Sequence, residues 1–184
     1  SKNDIEYTHN INITGQTWMD KEKLENVLYN LLSNAFKFTP PGGKISLLVD
    51  SLINQEDFYL IITVSDTGIG ISQQQITRLF DRFYQVTESK NHKYSGTGIG
   101  LSLVKSLVEI MYGNIKVISE PGKRSSFIVT IPVNKQFFAN HEIDTSGQVF
   151  ESVIRNKVAI LYDQIIDSTK TTSSSNEKDI SKIL

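Results

Sequence analysis

No cysteine occurs among the 184 residues, which excludes disulfides and thiolate metal sites and suits a cytosolic protein. Neither sign of charge dominates: 19 Lys and Arg against 20 Asp and Glu leave a formal net charge of −1, so no chain-wide attraction for nucleic acid is expected. No apolar run approaches the ~20 residues that span a bilayer, and no secretory signal opens the chain. Direct membrane contact by these residues is therefore not expected. The chain starts at Ser1 without a methionine and reads as a fragment, whose parent can still carry a membrane segment. With 39% hydrophobic residues there is material for one domain core plus an appendage.

Familiar nucleotide motifs are missing too. A dinucleotide fingerprint that began at Gly68 and Gly70 would need a third glycine where Gln73 stands, and a polar loop rather than a strand precedes Gly96. There is no P-loop Gly-Lys-Ser/Thr ending, no protein-kinase lysine strand and no catalytic aspartate loop.

What is present centres on Val64-Ser65-Asp66-Thr67-Gly68-Ile69-Gly70-Ile71. Residues 58–64 are β-branched and aromatic and read as a buried strand, so Asp66 stands where a strand leaves the core. Gly68 and Gly70 permit close approach to a flat ligand, and a carboxylate facing that gap accepts a hydrogen bond from an amino group. The exocyclic amine of adenine is one candidate. Ser72 followed by Gln75 is a capping box that opens a helix toward Ile76, Leu79 and Phe80.

Residues 5–13 alternate, with Ile5, Tyr7, His9, Ile11 and Ile13 on one side of a half-buried strand, and His9 reads as packed or surface-exposed rather than metal-binding. Residues 16–19 suggest a second short strand before Asp20 caps a helix. From residue 21 to 38, Leu24, Val27, Leu28, Leu31, Leu32 and Ala35 form one apolar stripe. Asn26, Asn30, Asn34 and Lys37 run along its edge, either as a solvated face or as the polar wall of a pocket.

A turn at Thr39-Pro40-Pro41-Gly42-Gly43 precedes an antiparallel pair, residues 44–50 and 58–65, joined by a polar connection at 54–57. Phe80, Phe83 and Tyr84 are core candidates. Residues 87–95 are polar apart from Tyr94, read as a loop, and carry Lys90, His92 and Lys93, whose charge serves either solvation or a phosphate. Gly96-Thr97-Gly98-Ile99-Gly100-Leu101 then runs into an amphipathic helix with Leu101, Val104, Val108 and Met111 on one face, and such an entry cradles phosphate with backbone N–H groups. Residues 116–119 and 126–133 read as paired strands. Residues 149–166 suggest a helix, or a strand at 158–162, and the Ser/Thr-rich stretch 167–176 a linker.

In this order the motifs resemble the ATP-binding catalytic domain of sensor histidine kinases, in the Bergerat-fold superfamily that also holds type II topoisomerases, mismatch-repair ATPases and ninety-kilodalton heat-shock chaperones. Residues 30–39, Asn-Leu-Leu-Ser-Asn-Ala-Phe-Lys-Phe-Thr, match the N box; Asp66-Thr67-Gly68-Ile69-Gly70 matches the first glycine box, Phe80-Asp81-Arg82-Phe83 the F box, and residues 96–101 the second glycine box. The resemblance covers roughly residues 3–133. It implies an α/β two-layer sandwich, a mixed β-sheet with helices on one face, over residues 1–133, with residues 134–184 as an extension and linker.

By the same resemblance the cofactors are ATP and Mg2+. Asp66 holds the adenine amine, Phe38 packs on the base, Asn34 is the metal ligand, Lys37 faces the phosphates, and Gly98 and Gly100 present amides to them. Asn30, Asn34 and Lys37 are the catalytic side chains; Gly68, Gly70, Phe83, Lys93, Gly96, Thr97 and Leu101 complete the nucleotide site, with residues 84–95 as its lid. The ATP-hydrolysing relatives carry a water-activating glutamate where Asn30 stands, and a carboxamide cannot take that proton.

The implied partners are a dimerisation domain bearing the phosphoacceptor histidine, which in the family precedes this domain, and a response regulator or receiver domain downstream. The ending Ser181-Lys182-Ile183-Leu184 resembles the opening of a receiver's first strand. The implied location is cytoplasmic, within an inner-membrane-anchored bacterial sensor. Two departures stand out: Met111-Tyr112-Gly113 replaces the His-Gly-Gly of many relatives, and Gly122-Lys123-Arg124 keeps one glycine of a late Gly-x-Gly, which leads us to expect a wider turn there.

Overall fold

The computed structural model describes residues 5–14, 17–54, 57–85, 98–134 and 159. The chain divides into two compact units, Ser1–Gly147 and Gln148–Leu184. Of the second only Ala159, helical and exposed, is described. The helix or strand expected within 149–166 and the linker at 167–176 otherwise lie outside the described residues, and the fold below is that of the first unit.

Five strands, β1 (Glu6–Asn12), β2 (Lys44–Asn54), β3 (Asp57–Asp66), β4 (Asn114–Glu120) and β5 (Arg124–Pro132), form one sheet in the order β1-β2-β3-β5-β4. β1 runs parallel to β2 and every other pairing is antiparallel, so the sheet is mixed as expected. Alternation decides which side is buried: Ile45, Leu47 and Val49 of β2, Leu60, Ile62 and Val64 of β3, and Phe127, Val129 and Ile131 of β5 all point into the core.

Helix α1 (Lys21–Phe38) supplies the other half of that core with Leu24, Val27, Leu28, Leu31, Leu32, Ala35 and Phe36. Asp20 caps its start by accepting from the Lys23 N–H at 3.0 Å and ion-pairs with the Lys23 ammonium group. Its end is fixed at Thr39, whose N–H and hydroxyl both donate to the Ala35 carbonyl, and Pro40 and Pro41 prevent continuation. Helix α3 (Gly100–Ile110) adds Val104 and Val108, while α2 (Gln73–Ile76) is a single turn.

Several expectations are corrected. Residues 17–19 are not a strand: Thr17 is buried and the Trp18 N–H donates to the Val133 carbonyl, one bond where a ladder needs several. β2 continues past Asp50 to Asn54, paired through to Asp57, because Leu52 and Ile53 sustain pairing with Tyr59 and Phe58. The β4–β5 turn is tight rather than wide. Lys123 N–H donates to the Glu120 carbonyl around Pro121 and Gly122, and Gly122 has φ +74, the arrangement of a type II turn with Pro and Gly in its two central places.

The corner after α3 closes despite lacking a glycine pair. Gly113 N–H donates to the Val108 carbonyl at 2.8 Å and Tyr112 N–H to that of Glu109 at 3.0 Å, the two bonds of a Schellman cap. Tyr112 takes the left-handed position, at φ 57, that glycine normally fills, and its side chain is 66% exposed. A left-handed residue with a β-carbon costs about 1–2 kcal/mol. Tyr112→Gly is therefore expected to stabilise the domain by about 1 kcal/mol, less what the ring contributes. Urea denaturation checks this, and a lower midpoint for the variant contradicts it.

Candidate nucleotide-binding site

Across the core face of the sheet the cross-strand rows are apolar: Ile115, Val129, Ile62 and Val49 form one, and Val117, Phe127, Val64 and Leu47 the next. The row after that changes character and reads Ser119, Ser125, Asp66 and Ile45. The core thus ends in a polar rim. Asp66 is 6% exposed, and its Oδ1 accepts from the Gly68 N–H at 2.8 Å. Burial raises its pKa above the ordinary carboxyl value, and the Gly68 bond partly offsets this. A buried carboxylate that makes no ion pair among the described residues is costly to keep, and its acceptor capacity is only partly used. It fits a ligand N–H.

The turn after Asp66 is held from two sides. On the α1 side, Ile69 N–H reaches the Phe38 carbonyl at 3.3 Å, and a β-carbon on Gly68 would lie 2.4 Å from that same oxygen. On the hairpin side, Gly122 N–H donates to the Ile69 carbonyl at 2.7 Å and Ile71 N–H to the Ser119 hydroxyl at 2.8 Å. Gly70 adopts φ +67, and a β-carbon there would stand 2.1 Å from the Glu120 carbonyl oxygen. The capping box is formed: Gln75 N–H donates to Ser72 Oγ, and Ser72 N–H to Gln75 Oε1.

Along the polar edge of α1, Asn26 is exposed to solvent, while Asn30, Asn34 and Lys37 are half-buried. Asn26 and Asn30 donate back to the carbonyls of Glu22 and Asn26, and Asn30 Oδ1 lies 2.8 Å from where a β-carbon on Gly100 would be. The start of α3 thus lies against the Asn30 side chain, whose carboxamide would have to move aside for any larger residue at position 100. Asn34, half-buried one turn on, has a carboxamide with no hydrogen bond among the described residues. Lys37 Nζ lies 5.0 Å from the centre of the Phe38 ring, and burial lowers its pKa. Lys37 and Phe38 therefore pack on each other at the helix end.

Phe83 and Gly98 make a backbone seam. Phe83 N–H donates to the Gly98 carbonyl at 2.9 Å, and both residues have positive φ, +65 and +68. A β-carbon on Gly98 would sit 2.8 Å from the Phe83 backbone. The three aromatics are not core: Phe80 and Tyr84 are half-buried beside Lys105 and Arg78, and Phe83 is 72% exposed. Gly100 opens α3 and Leu101 follows half-buried. Lys93, Gly96, Thr97 and residues 86–95 of the expected lid lie outside the described residues.

Ser119 and Ser125 were not among the expected site residues. They sit 53 and 59 residues beyond Asp66, and only the β3–β5–β4 register brings them to its row. No group of three His, Cys, Asp or Glu side chains among the described residues is placed to hold a metal. Magnesium needs no such cage: it commonly keeps several waters and takes one or two protein oxygens plus phosphates, and the Asn34 carboxamide oxygen is one that could be offered to it.

Residues 19–135 match the family described as histidine kinase-, DNA gyrase B-, and HSP90-like ATPase. Histidine kinase P4 of Formosa agariphila is 30% identical over 170 residues, covering 91% of this chain and 12% of that protein. Autoinducer 2 sensor kinase/phosphatase LuxQ of Vibrio vulnificus is 40% identical over 132 residues, 71% of this chain and 15% of the relative. The chain thus spans a small part of the curated relatives it matches. A crystal structure of full-length ShkA in complex with AMPPNP superposes with a TM-score of 0.59 at 28% identity, covering 70% of this chain and 26% of that one. The chain belongs to the histidine kinase-, DNA gyrase B- and HSP90-like ATPase family, and its matched region is an ATP-binding catalytic domain of the sensor histidine kinase type.

Proposed function

We propose that this domain, residues 1–133, binds Mg-ATP and transfers the γ-phosphoryl group to a histidine on a dimerisation domain of the same parent protein, with residues 134–184 as the tether toward a receiver domain. The observation that carries this reading is the buried, partly used Asp66 carboxylate at the end of the apolar core, beside a turn in which no β-carbon fits at position 68 or 70. The AMPPNP complex of ShkA, a protein of the same fold, supports it.

In this reading Asp66 accepts from the adenine amine, Gly68 and Gly70 line the base, and Phe38 packs on it. Asn34 and Lys37 stand toward the phosphates, and the amides of Gly98 and Gly100 with Gly96, Thr97 and Leu101 hold them, beneath a lid carrying Phe83 at its root and Lys93. Bound Mg2+ would neutralise phosphate charge, and phosphoryl transfer demands little else beyond positioning. An acceptor imidazole nitrogen takes the γ-phosphoryl group while the bond to the β–γ bridging oxygen breaks and ADP leaves. Asn30 is unsuited to activating water: its amide donates to the Asn26 carbonyl at 2.8 Å and a carboxamide takes no proton. The parent is an inner-membrane-anchored bacterial sensor, this domain faces the cytoplasm, and the phosphoryl group passes on to a response regulator or receiver.

Radiolabelled ATP tests this directly. The fragment alone is expected to acquire no acid-labile label and to release phosphate slowly. Acceptor domain added in trans is expected to become labelled, slowly, because free encounter lacks the effective concentration of a tether. Label on the fragment itself would mean that one of its three histidines, His9, His92 or His141, is an acceptor and would contradict this reading, and brisk phosphate release would favour a hydrolase.

A further inference from the structure

The geometry points to Ser119 as a positioning residue of the nucleotide site, acting through the turn rather than touching the nucleotide. This rests on the reading of Asp66 and its turn as the adenine pocket. Ser119 lies on β4, two strands from Asp66, in the last row of the core face. Its hydroxyl accepts the Ile71 N–H at 2.8 Å and donates to the Arg124 carbonyl at 2.7 Å or to Ser125 Oγ at 3.0 Å. One side chain therefore joins the far end of the glycine turn to β5, whose Ser125 is paired in register with Asp66.

The other side chains that hold the turn from residue 67 to 71 act at its start, where Thr67 Oγ1 accepts the Lys44 N–H and Asp66 Oδ1 the Gly68 N–H, both at 2.8 Å. Its N-terminal part is held by the Thr67 and Lys44 backbones and by the long 3.3 Å contact of Ile69 N–H with Phe38, and its middle by the bond from Gly122 N–H to the Ile69 carbonyl. Ile71 N–H is the last donor before the capping box of α2, and Ser119 is its acceptor. Remove the hydroxyl and a part-buried N–H loses its partner, while the Gly70 backbone, packed against Glu120, loses its downstream anchor. The turn then fluctuates where a flat base must lie between it and the Asp66 carboxylate.

A device of this kind acts on the base and not on the phosphates. Ser119→Ala is expected to weaken ATP, ADP and adenosine by the same factor, about fivefold to tenfold, as measured by calorimetry well below the melting temperature of the variant. Ser119→Thr keeps the hydroxyl and is expected to bind all three as the wild type does. Asp66→Asn, measured alongside, separates the two levels of the account. If Asp66→Asn weakens binding and Ser119→Ala changes it by less than twofold, the role of Ser119 is overturned and the adenine pocket stands. If neither variant weakens binding, the pocket itself is misplaced. Loss for ATP but not for adenosine also overturns the proposal, because it would put the effect at the phosphates.

Discussion

Asp66→Asn should lose ATP affinity by about 10- to 100-fold, the value of a hydrogen bond to a charged group, without unfolding the domain. Asparagine keeps an oxygen for the Gly68 N–H but has replaced an acceptor-only group by one that also donates, and an amine facing it then meets a competing donor. The same change removes a buried charge that no described cation compensates. At neutral pH the variant should therefore melt at the wild-type temperature or above it.

The direction of the Asp66 shift fixes the pH dependence. Because burial raises its pKa in the folded domain, the protonated form is the one that favours folding. That contribution is fully present below the unfolded value of about 3.9 and is lost as pH rises through the raised folded value. The stability advantage of Asp66→Asn over wild type should grow across that window. ATP binding selects the ionised form, so wild-type affinity should fall as pH drops through the raised value, and the variant should show no such step. An unchanged affinity in Asp66→Asn, or a marked drop in its melting temperature, would make this residue structural.

Gly70→Ala should destabilise the domain by about 3 kcal/mol or more, from left-handed strain plus overpacking against the hairpin. The added β-carbon would stand 2.1 Å from the Glu120 carbonyl oxygen and 2.9 Å from Pro121 Cα, backbone positions fixed by the β4–β5 pairing of Glu120 and by the turn bond from Lys123 N–H to the Glu120 carbonyl. Gly122→Ala is the control. Gly122 also has positive φ, at +74, but a β-carbon there meets nothing within 4 Å, so that variant should lose only about 1 kcal/mol. Denaturant titration of both variants gives the comparison. Equal losses would mean that the close approach of turn to hairpin carries no energy.

Much of this site could be read from local pattern. The 3.6-residue stripe of α1, bounded by Asp20 and by Thr39 before two prolines, needs only neighbouring residues, and the structure places the helix at Lys21–Phe38. Asp66 was legible because an apolar strand ends on a carboxylate before glycines, and Ser72 with Gln75 because a capping box is local. What stayed hidden depends on register. Ser119 and Ser125 look like ordinary strand serines until β4 and β5 place them beside Asp66. That Asn30 on the edge of α1 lies against the start of α3, while Asn26 faces solvent, likewise required knowing how the two helices meet.

The remaining misses have local causes that periodicity does not see. Thr17 is buried and Trp18 is bonded to Val133 without a ladder, so burial there mimicked a strand. The Pro121-Gly122 turn closes with one glycine because proline presets the first central residue. Tyr112 shows that a Schellman corner tolerates a side chain at its left-handed position, at a cost in stability.

The claim that Asp66 reads the base is tested most directly by titrating the wild-type domain with Mg-ATP and Mg-GTP in a calorimeter. Guanine presents a carbonyl where adenine presents its amine, and a carbonyl facing the buried carboxylate leaves two acceptors opposed. The account predicts measurable ATP binding and GTP weaker by about 100-fold or more. Equal affinity for the two nucleotides would contradict it.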